Sequence, residues 1–215
     1  DEHLIEIARQ ESIPILQNKD INSKEFLSAL SSYSCDIFVS LAFNQIFKKH
    51  LIQLPSLGII NCHAGKLPEY RGRNILNWAL INDEKEFGIT VHYVDEGIDT
   101  GDIILQKIFK IDDSDTYKSL LEVAYSQCGE IVHEALVLIK NESVQRIKQD
   151  SLDITGFYCV GRGEGDEYID WNMNSRELFN FIRALTSPGP NAKAILNDKI
   201  AVSYTHLRAH ETAMY

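Results

Sequence analysis

The sequence lacks an initiating Met, lacks any Cys-x-x-Cys spacing, and is short of positive charge. No apolar run approaches the roughly 20 residues that a membrane-spanning helix needs, so no membrane association is expected. Four cysteines, Cys35, Cys62, Cys128 and Cys159, are scattered along the chain. That scatter fits neither a disulfide framework nor a zinc ribbon and reads as reduced thiols in a cytoplasmic protein. Lys and Arg number 21 against 31 Asp and Glu, a formal net charge of −10. This balance disfavours nonspecific binding to nucleic acid or an anionic membrane, while leaving room for a local basic patch. The chain opens Asp1-Glu2-His3, without the basic-then-apolar start of a signal peptide. Its first residues read as the middle of a fold, so the true N-terminus is expected further upstream.

What is present is an ordinary globular composition, 44% hydrophobic and 24% charged over 215 residues. That length suits one domain with a full core, or one domain and a small second unit. Leu4, Ile7 and Ala8 fall at helical spacing, and Ile13-Pro14-Ile15-Leu16 reads as a short strand. Asn22-Ser23-Lys24-Glu25 resembles a capping box ahead of a helix through Phe26, Leu27 and Leu30. Asp36 to Ala42 and Gly58 to His63 are continuous apolar runs, as expected of strands buried on both faces. A short helix is expected at Ile46 to Leu51 and another at Ile75 to Ile81, with strands at Gly88 to Val94 and Ile103 to Ile111. Asp115 then caps a long helix whose apolar stripe (Tyr117, Leu120, Ala124, Cys128, Ile131, Ala135) advances in threes and fours. Strands alternating with helices predict an α/β domain with a mostly parallel sheet.

After Asn141 the pattern changes. Residues 151–168, rich in Gly, Asp and Glu, read as a linker or extended loop. Asn174 or Ser175 caps a helix to about Leu185, Pro188-Gly189-Pro190 ends it, and Ala192 to Leu196 followed by Asn197-Asp198 reads as a strand and turn. The expected division is 1–142 as the main domain, 143–201 as linker and start of a smaller unit, and 202–215 as a non-native tail. The tail continues neither pattern and resembles the translation of a sequencing adaptor.

The chemistry concentrates between Gly58 and Gln106. A buried strand delivers Asn61 and His63, two residues apart and therefore on one face. The C-terminal ends of strands are where α/β folds place their sites. A loop follows, Ala64-Gly65-Lys66-Leu67-Pro68-Glu69-Tyr70-Arg71-Gly72, and a later strand ends in Asp95-Glu96-Gly97-Ile98-Asp99-Thr100-Gly101-Asp102. Asn can donate to an oxyanion, His can carry protons near neutrality, and a carboxylate can orient or stabilise the imidazole. From residue types alone, the same residues also fit a satisfied strand end and an Asx turn. No His, Cys or carboxylate cluster has metal-ligand spacing, and no metal is expected.

The combination Asn61-Cys62-His63, Leu67-Pro68, Tyr70-Arg71-Gly72, Gly88 to His92 and Gly97-Ile98-Asp99-Thr100-Gly101-Asp102 resembles the folate-dependent formyltransferases. The likeness covers about Leu4 to Asn141. It implies a Rossmann-like catalytic domain, here without its first strand and loop, and 10-formyltetrahydrofolate as co-substrate. It assigns Asn61, His63 and Asp99 as the catalytic trio. It places the folate among Phe43, Gly65, Lys66, Leu67, Pro68, Asp95, Gly97 and Ile98. Asp166 to Trp171, followed by a helix with Arg183, resembles the start of that family's C-terminal domain.

Departures from the tRNA-modifying members lie at Gly65-Lys66 and at Arg73-Asn74. Lys66 and Arg73, with Arg71 and His92 beside them, are candidate contacts for an anionic acceptor; as solvated cations Lys66 and Arg73 need no such role. A tRNA-binding version calls for a basic C-terminal region, yet residues 151–200 hold five basic against seven acidic side chains. The expected partner is a nucleotide-linked amino sugar, with tRNA as the alternative and a homodimer left open. Formyltetrahydrofolate hydrolysis and a folate-binding remnant are further alternatives.

Overall fold

The computed structural model describes residues 2–197 and 199–203. In chain order its elements are α1 (Glu2–Gln10), α2 (Lys24–Ser31), β1 (Phe38–Leu41), α3 (Lys49–Ile52), β2 (Ile59–His63), β3 (Arg71–Gly72), α4 (Ile75–Ile81) and β4 (Glu86–Tyr93). There follow β5 (Ile103–Lys110), α5 (Tyr117–Lys140), a 3-10 turn at Gln149–Ser151, β6 (Tyr158–Cys159), α6 (Ser175–Ala184), β7 (Lys193–Leu196) and β8 (Lys199–Val202).

The main sheet has the order β1-β2-β4-β5 and is flanked by helices, giving the α/β architecture. It is mixed. β1 and β2 run parallel, whereas β4 runs antiparallel to both β2 and β5. Connection length accounts for the β4–β5 pair: residues 94–102 fall short of the roughly dozen residues that a parallel crossover needs.

β2 is covered on both faces, as its unbroken apolar run requires. Ile60 and Cys62, with Ile89 and Val91 of β4, enter the main core beside Leu76 and Leu80 of α4 and Leu120, Ala124 and Ile131 of α5. Ile59 points the other way, into a smaller cluster with Ile21 and Leu51. The strand alternation then places Asn61, His63, Thr90 and His92 together on that second face, in the register Asn61 opposite His92 and His63 opposite Thr90. The polar set is therefore built by one strand pair.

Several boundaries move for local reasons. Thr116 caps α5, in a reciprocal box with Ser119, and Asp115 instead accepts from the Ser119 hydroxyl at 2.8 Å. Ser23 caps α2 by accepting from the Phe26 N–H at 3.2 Å, one residue beyond the expected box. The strand expected at Ile13 to Leu16 is not formed. Ile13, Ile15 and Leu16 remain 56%, 39% and 38% exposed, and the described sheets put no strand beside them. An extended segment without a ladder partner has no hydrogen bonds to make it a strand. β1 likewise ends the sheet, with Val39 and Leu41 exposed.

The stretch from 143 to 160, expected as linker in its later half, staples the site. Ile147 exchanges backbone hydrogen bonds with Ile103 at 2.8 and 3.0 Å, and β6 pairs parallel to β3, Arg71 opposite Tyr158 and Gly72 opposite Cys159. Beyond it, α6 opens on a capping box of Asn174 and Glu177 and packs on α4, where Asn77 Nδ2 donates to the Ala184 carbonyl at 2.7 Å. β7 and β8 form a hairpin. Residues 204–215, nearly all of the expected non-native tail, lie outside the described residues.

Arg183 fastens α6 to the main domain. It is 1% exposed, donates to Asn180 Oδ1 at 2.9 Å and to the Asp112 carbonyl at 2.8 Å, and lies 3.7 Å from Asp83. Arg183→Met keeps the apolar stem but leaves those acceptors unsatisfied, each a group whose desolvation goes uncompensated. A loss of about 2 kcal/mol is expected, read in thermal unfolding as a midpoint lowered by roughly 4–8 °C at this chain length; an unchanged midpoint would show that water replaces the guanidinium.

Candidate active site

Asn61, His63, His92 and Asp99 converge. His63 Nε2 lies 2.8 Å from the Tyr70 carbonyl. A carbonyl only accepts, so Nε2 carries the hydrogen and Nδ1 is the nitrogen left to take a proton. Nδ1 lies 3.6 Å from Asp99 Oδ2. Burial pushes the His63 pKa below its ordinary 6.5, against the opposing pull of Asp99 and the Tyr70 carbonyl, with His92 adding a little repulsion. The resting ring is therefore neutral, and an imidazolium formed at Nδ1 faces a carboxylate.

His92 donates Nδ1–H to the Tyr93 carbonyl at 2.7 Å. Its Nε2 sits 3.3 Å from Asn61 Nδ2 and 3.4 Å from Asp99 Oδ1. A lone pair there accepts from the Asn61 amide; a proton there bonds to Asp99. Asn61 is half-buried, and its second amide hydrogen has no protein acceptor among the described residues, leaving one donor for a ligand.

Asp99 stands at φ +54. Burial alone would raise its pKa, but the His92 hydrogen bond, the His63 charge and the Gly72 N–H, which donates to Oδ2 at 3.0 Å, together hold it down at about 2. The turn leading to it is set by Asp95, whose Oδ1 accepts from the Gly97 N–H at 3.0 Å and the Thr100 hydroxyl at 2.6 Å. Asp95 is thus occupied in shaping the turn, Gly97 leaves room for Thr100, and Ile98 projects with 54% exposure.

The loop after His63 is fixed from below. Thr90, fully buried, donates its hydroxyl to the Gly65 carbonyl at 2.6 Å, and Gln106 Nε2 bonds the Leu67 carbonyl at 2.9 Å. Leu67 and Pro68 are buried beneath it. Lys66 turns away to Glu86 at 2.9 Å and Glu69 at 3.5 Å, and the Glu86 hydrogen bond chiefly raises its pKa. Arg71 is engaged by Gln149 at 2.7 Å. Arg73 is exposed and has no ion pair among the described residues. Phe43 lies apart, lining a cavity of about 820 Å³ along β1 with Phe26, Ser40, Leu41 and Phe47; none of residues 65–68 or 95–98 borders it. Ser40 pairs with Asn61 across the sheet, so the cavity is one strand from the cluster. Sequence reading missed Tyr70 as a carbonyl acceptor, Gln106 and Gln149, none of which carries a spacing signal. Among the described residues, no group of three or more His, Cys, Asp or Glu is placed to hold a metal ion, and no helix is long and apolar enough to cross a membrane.

Residues 3–136 match the formyl transferase family, and residues 164–213 match the formyl transferase C-terminal domain. The chain belongs to the formyltransferase family. Among its formyltransferase relatives, a bifunctional polymyxin resistance protein ArnA from Wigglesworthia glossinidia brevipalpis is 37% identical over 87% of this chain and 28% of its own length. A methionyl-tRNA formyltransferase from Fusobacterium nucleatum is 36% identical over 93% of this chain and 63% of its own. This chain thus spans less than two thirds of either. The formyltransferase fold is also seen in an N-formyltransferase from Helicobacter canadensis, solved in complex with folinic acid and dTDP-3-aminofucose. It aligns with a TM-score of 0.65 at 28% identity, covering 84% of this chain and 63% of that one.

Proposed function

We propose that this chain carries the catalytic part of an enzyme that transfers a formyl group from 10-formyltetrahydrofolate to a primary amine on a nucleotide-linked amino sugar. The observation that carries formyl transfer is the convergence of Asn61, His63, His92 and Asp99 around one neutral imidazole. The amine nitrogen attacks the formyl carbon, and oxygen takes up negative charge that the free Asn61 N–H is placed to receive. His63 Nδ1 accepts the proton leaving the attacking nitrogen, Asp99 stabilises the imidazolium, and the proton passes on to the departing folate nitrogen as its bond to carbon breaks. The cavity along β1, which Phe43 borders one strand from the cluster, supports a place for part of the folate. In this reading the folate residues are Phe43, Gly65, Lys66, Leu67, Pro68, Asp95, Gly97 and Ile98, and Arg71, Arg73 and His92 attend the acceptor. Lys66, Asp95 and Arg71 serve chiefly by shaping the walls, since their charged ends are already partnered.

The acidic balance, −10 overall, supports a small nucleotide-linked acceptor over a polyanion, and the Helicobacter canadensis relative was solved with such a sugar. Transfer to methionyl-tRNA is favoured by the higher identity of the Fusobacterium relative. Tetrahydrofolate release by the full-length protein, supplied with 10-formyltetrahydrofolate and either dTDP-linked amino sugars, methionyl-tRNA or no acceptor, decides among them. Turnover with the sugar alone is expected; turnover with tRNA alone would overturn the acceptor, and equal turnover with none would make the protein a hydrolase.

The pH dependence follows from His63. Its folded pKa lies below 6.5, so the active neutral ring persists to lower pH than in a free histidine. The acid limb of kcat/KM is expected below pH 6.5. The same shift adds stability that is complete above 6.5 and lost as pH falls through the lowered value, while Asp99 adds stability present above its ordinary 3.8 and lost as pH falls toward about 2. An acid limb at or above 6.5 would remove His63 as the base.

A further inference from the structure

Gln149 lies outside both matched stretches and is 3% exposed. Register puts it there. Ile147 and Ile103 form an antiparallel bridge, and two residues further along the same register Gln149 comes opposite Gly101. Its side-chain amide then fills its whole hydrogen-bonding capacity. Nε2 donates to the Asp99 carbonyl at 2.9 Å and the Gly101 carbonyl at 2.7 Å. Oε1 accepts from Arg71 Nε at 3.0 Å and Nη2 at 2.7 Å. Arg71 immediately precedes Gly72, whose N–H donates to Asp99 Oδ2 at 3.0 Å. The bonds close into a ring: Asp99 carboxylate, Gly72, Arg71, Gln149, Asp99 carbonyl.

A left-handed non-glycine residue such as Asp99 persists only where its surroundings over-determine it. Asp95 holds the turn from the preceding side and Gln149 from the other. Only glutamine suits the place. Glutamate has no donor for two carbonyls, asparagine is a methylene short, and lysine would confront Arg71.

We propose that Gln149 is a positioning residue for formyl transfer, acting through the 99–101 turn and Arg71 to hold the Asp99 carboxylate against His63 and His92. This rests on the role assigned to Asp99 above. The test is steady-state kinetics of the full-length protein bearing Gln149→Ala, Gln149→Glu, Asp99→Asn, or Gln149→Ala with Arg71→Met, with thermal unfolding recorded for each. Both Gln149 variants are expected to lose about 100-fold in kcat, the order of loss that a misplacement near 1 Å produces, with KM for both substrates unchanged. The double variant is expected to lose no more in kcat than Gln149→Ala, because one ring is broken either way, and any further effect of losing Arg71, which attends the acceptor, falls on the acceptor KM. Gln149→Glu keeps the size and the Arg71 partner, so it reports on the turn even where alanine unfolds the protein. Wild-type kcat in Gln149→Glu, or a loss confined to KM, overturns the proposal. An inactive Asp99→Asn beside a fully active Gln149→Glu removes the positioning role alone; a fully active Asp99→Asn removes the reading of Asp99 itself.

Discussion

His63→Ala is expected to lower kcat for formyl transfer by about 10²–10⁴, the range for loss of a general acid–base group, while leaving the dissociation constant for 10-formyltetrahydrofolate unchanged. The contrast follows from what the ring touches. Nε2 is spent on the Tyr70 carbonyl and Nδ1 faces Asp99, so the imidazole serves proton transfer and binding does not need it. Single-turnover kinetics beside equilibrium titration separate the two quantities. Added imidazole is expected to restore part of the rate, since the alanine leaves a ring-sized space beside an intact Asp99. A variant that turns over at the wild-type rate would place the base elsewhere; one that loses folate binding in proportion to rate would make His63 a wall of the folate site.

Gly65→Ala is expected to cost about 100-fold in kcat, though it adds one methyl and touches no charge. A Cβ at this position would lie 2.4 Å from His63 Nε2 and 2.5 Å from the Tyr70 carbonyl oxygen. Both distances are far inside van der Waals contact, and one partner is backbone. The methyl would stand where the bond that fixes the His63 tautomer passes. Either the ring rotates or the 65–70 loop lifts off Thr90, to which Gly65 is tied at 2.6 Å. In the first case Nδ1 leaves Asp99; in the second the folate wall moves. The split between kcat and KM distinguishes them. Ring rotation lowers kcat alone, loop displacement raises the folate KM as well, and wild-type values for both would show that the loop absorbs the methyl without moving the ring. Overpacking of this kind is also expected to lower stability by about 1–3 kcal/mol.

The parts of the site that one strand carries were legible in the sequence. Asn61 and His63 stand two apart on an apolar run, and period two alone puts them on one face. Asp99 was legible as a carboxylate on a glycine-bracketed turn. Its approach to His63 was not, because that depends on the antiparallel register of β4 on β2, and no local pattern writes a register between strands 30 residues apart. The same register lifts His92 from a lone strand histidine to a neighbour of both Asn61 and Asp99. Gln149 gave no signal: it lies in a polar stretch, and its partners are backbone carbonyls, which every residue has. Lys66 and Arg71 show the converse limit, since a cation in a loop reads the same whether it meets a substrate or, as here, the side chains of Glu86 and Gln149. Ile13 to Leu16 had the composition of a strand without a neighbour to pair with. The caps of α2 and α5 moved by one residue because adjacent Asn, Ser, Asp and Thr compete for the same N–H groups.

The outer flank of β1 bears on how the protein behaves in a tube. Among the described residues no strand pairs with it, and Val39 and Leu41 beside it are 42% and 49% exposed. Strands of that kind recruit other strands, from any chain that offers one, and concentrate self-association at a single line of the surface. Loss of material on concentrating this chain would then be a property of one edge rather than of poor folding. Val39→Lys would place a charge on that line, one strand from the His63 cluster and on the wall of the cavity that Phe43 borders.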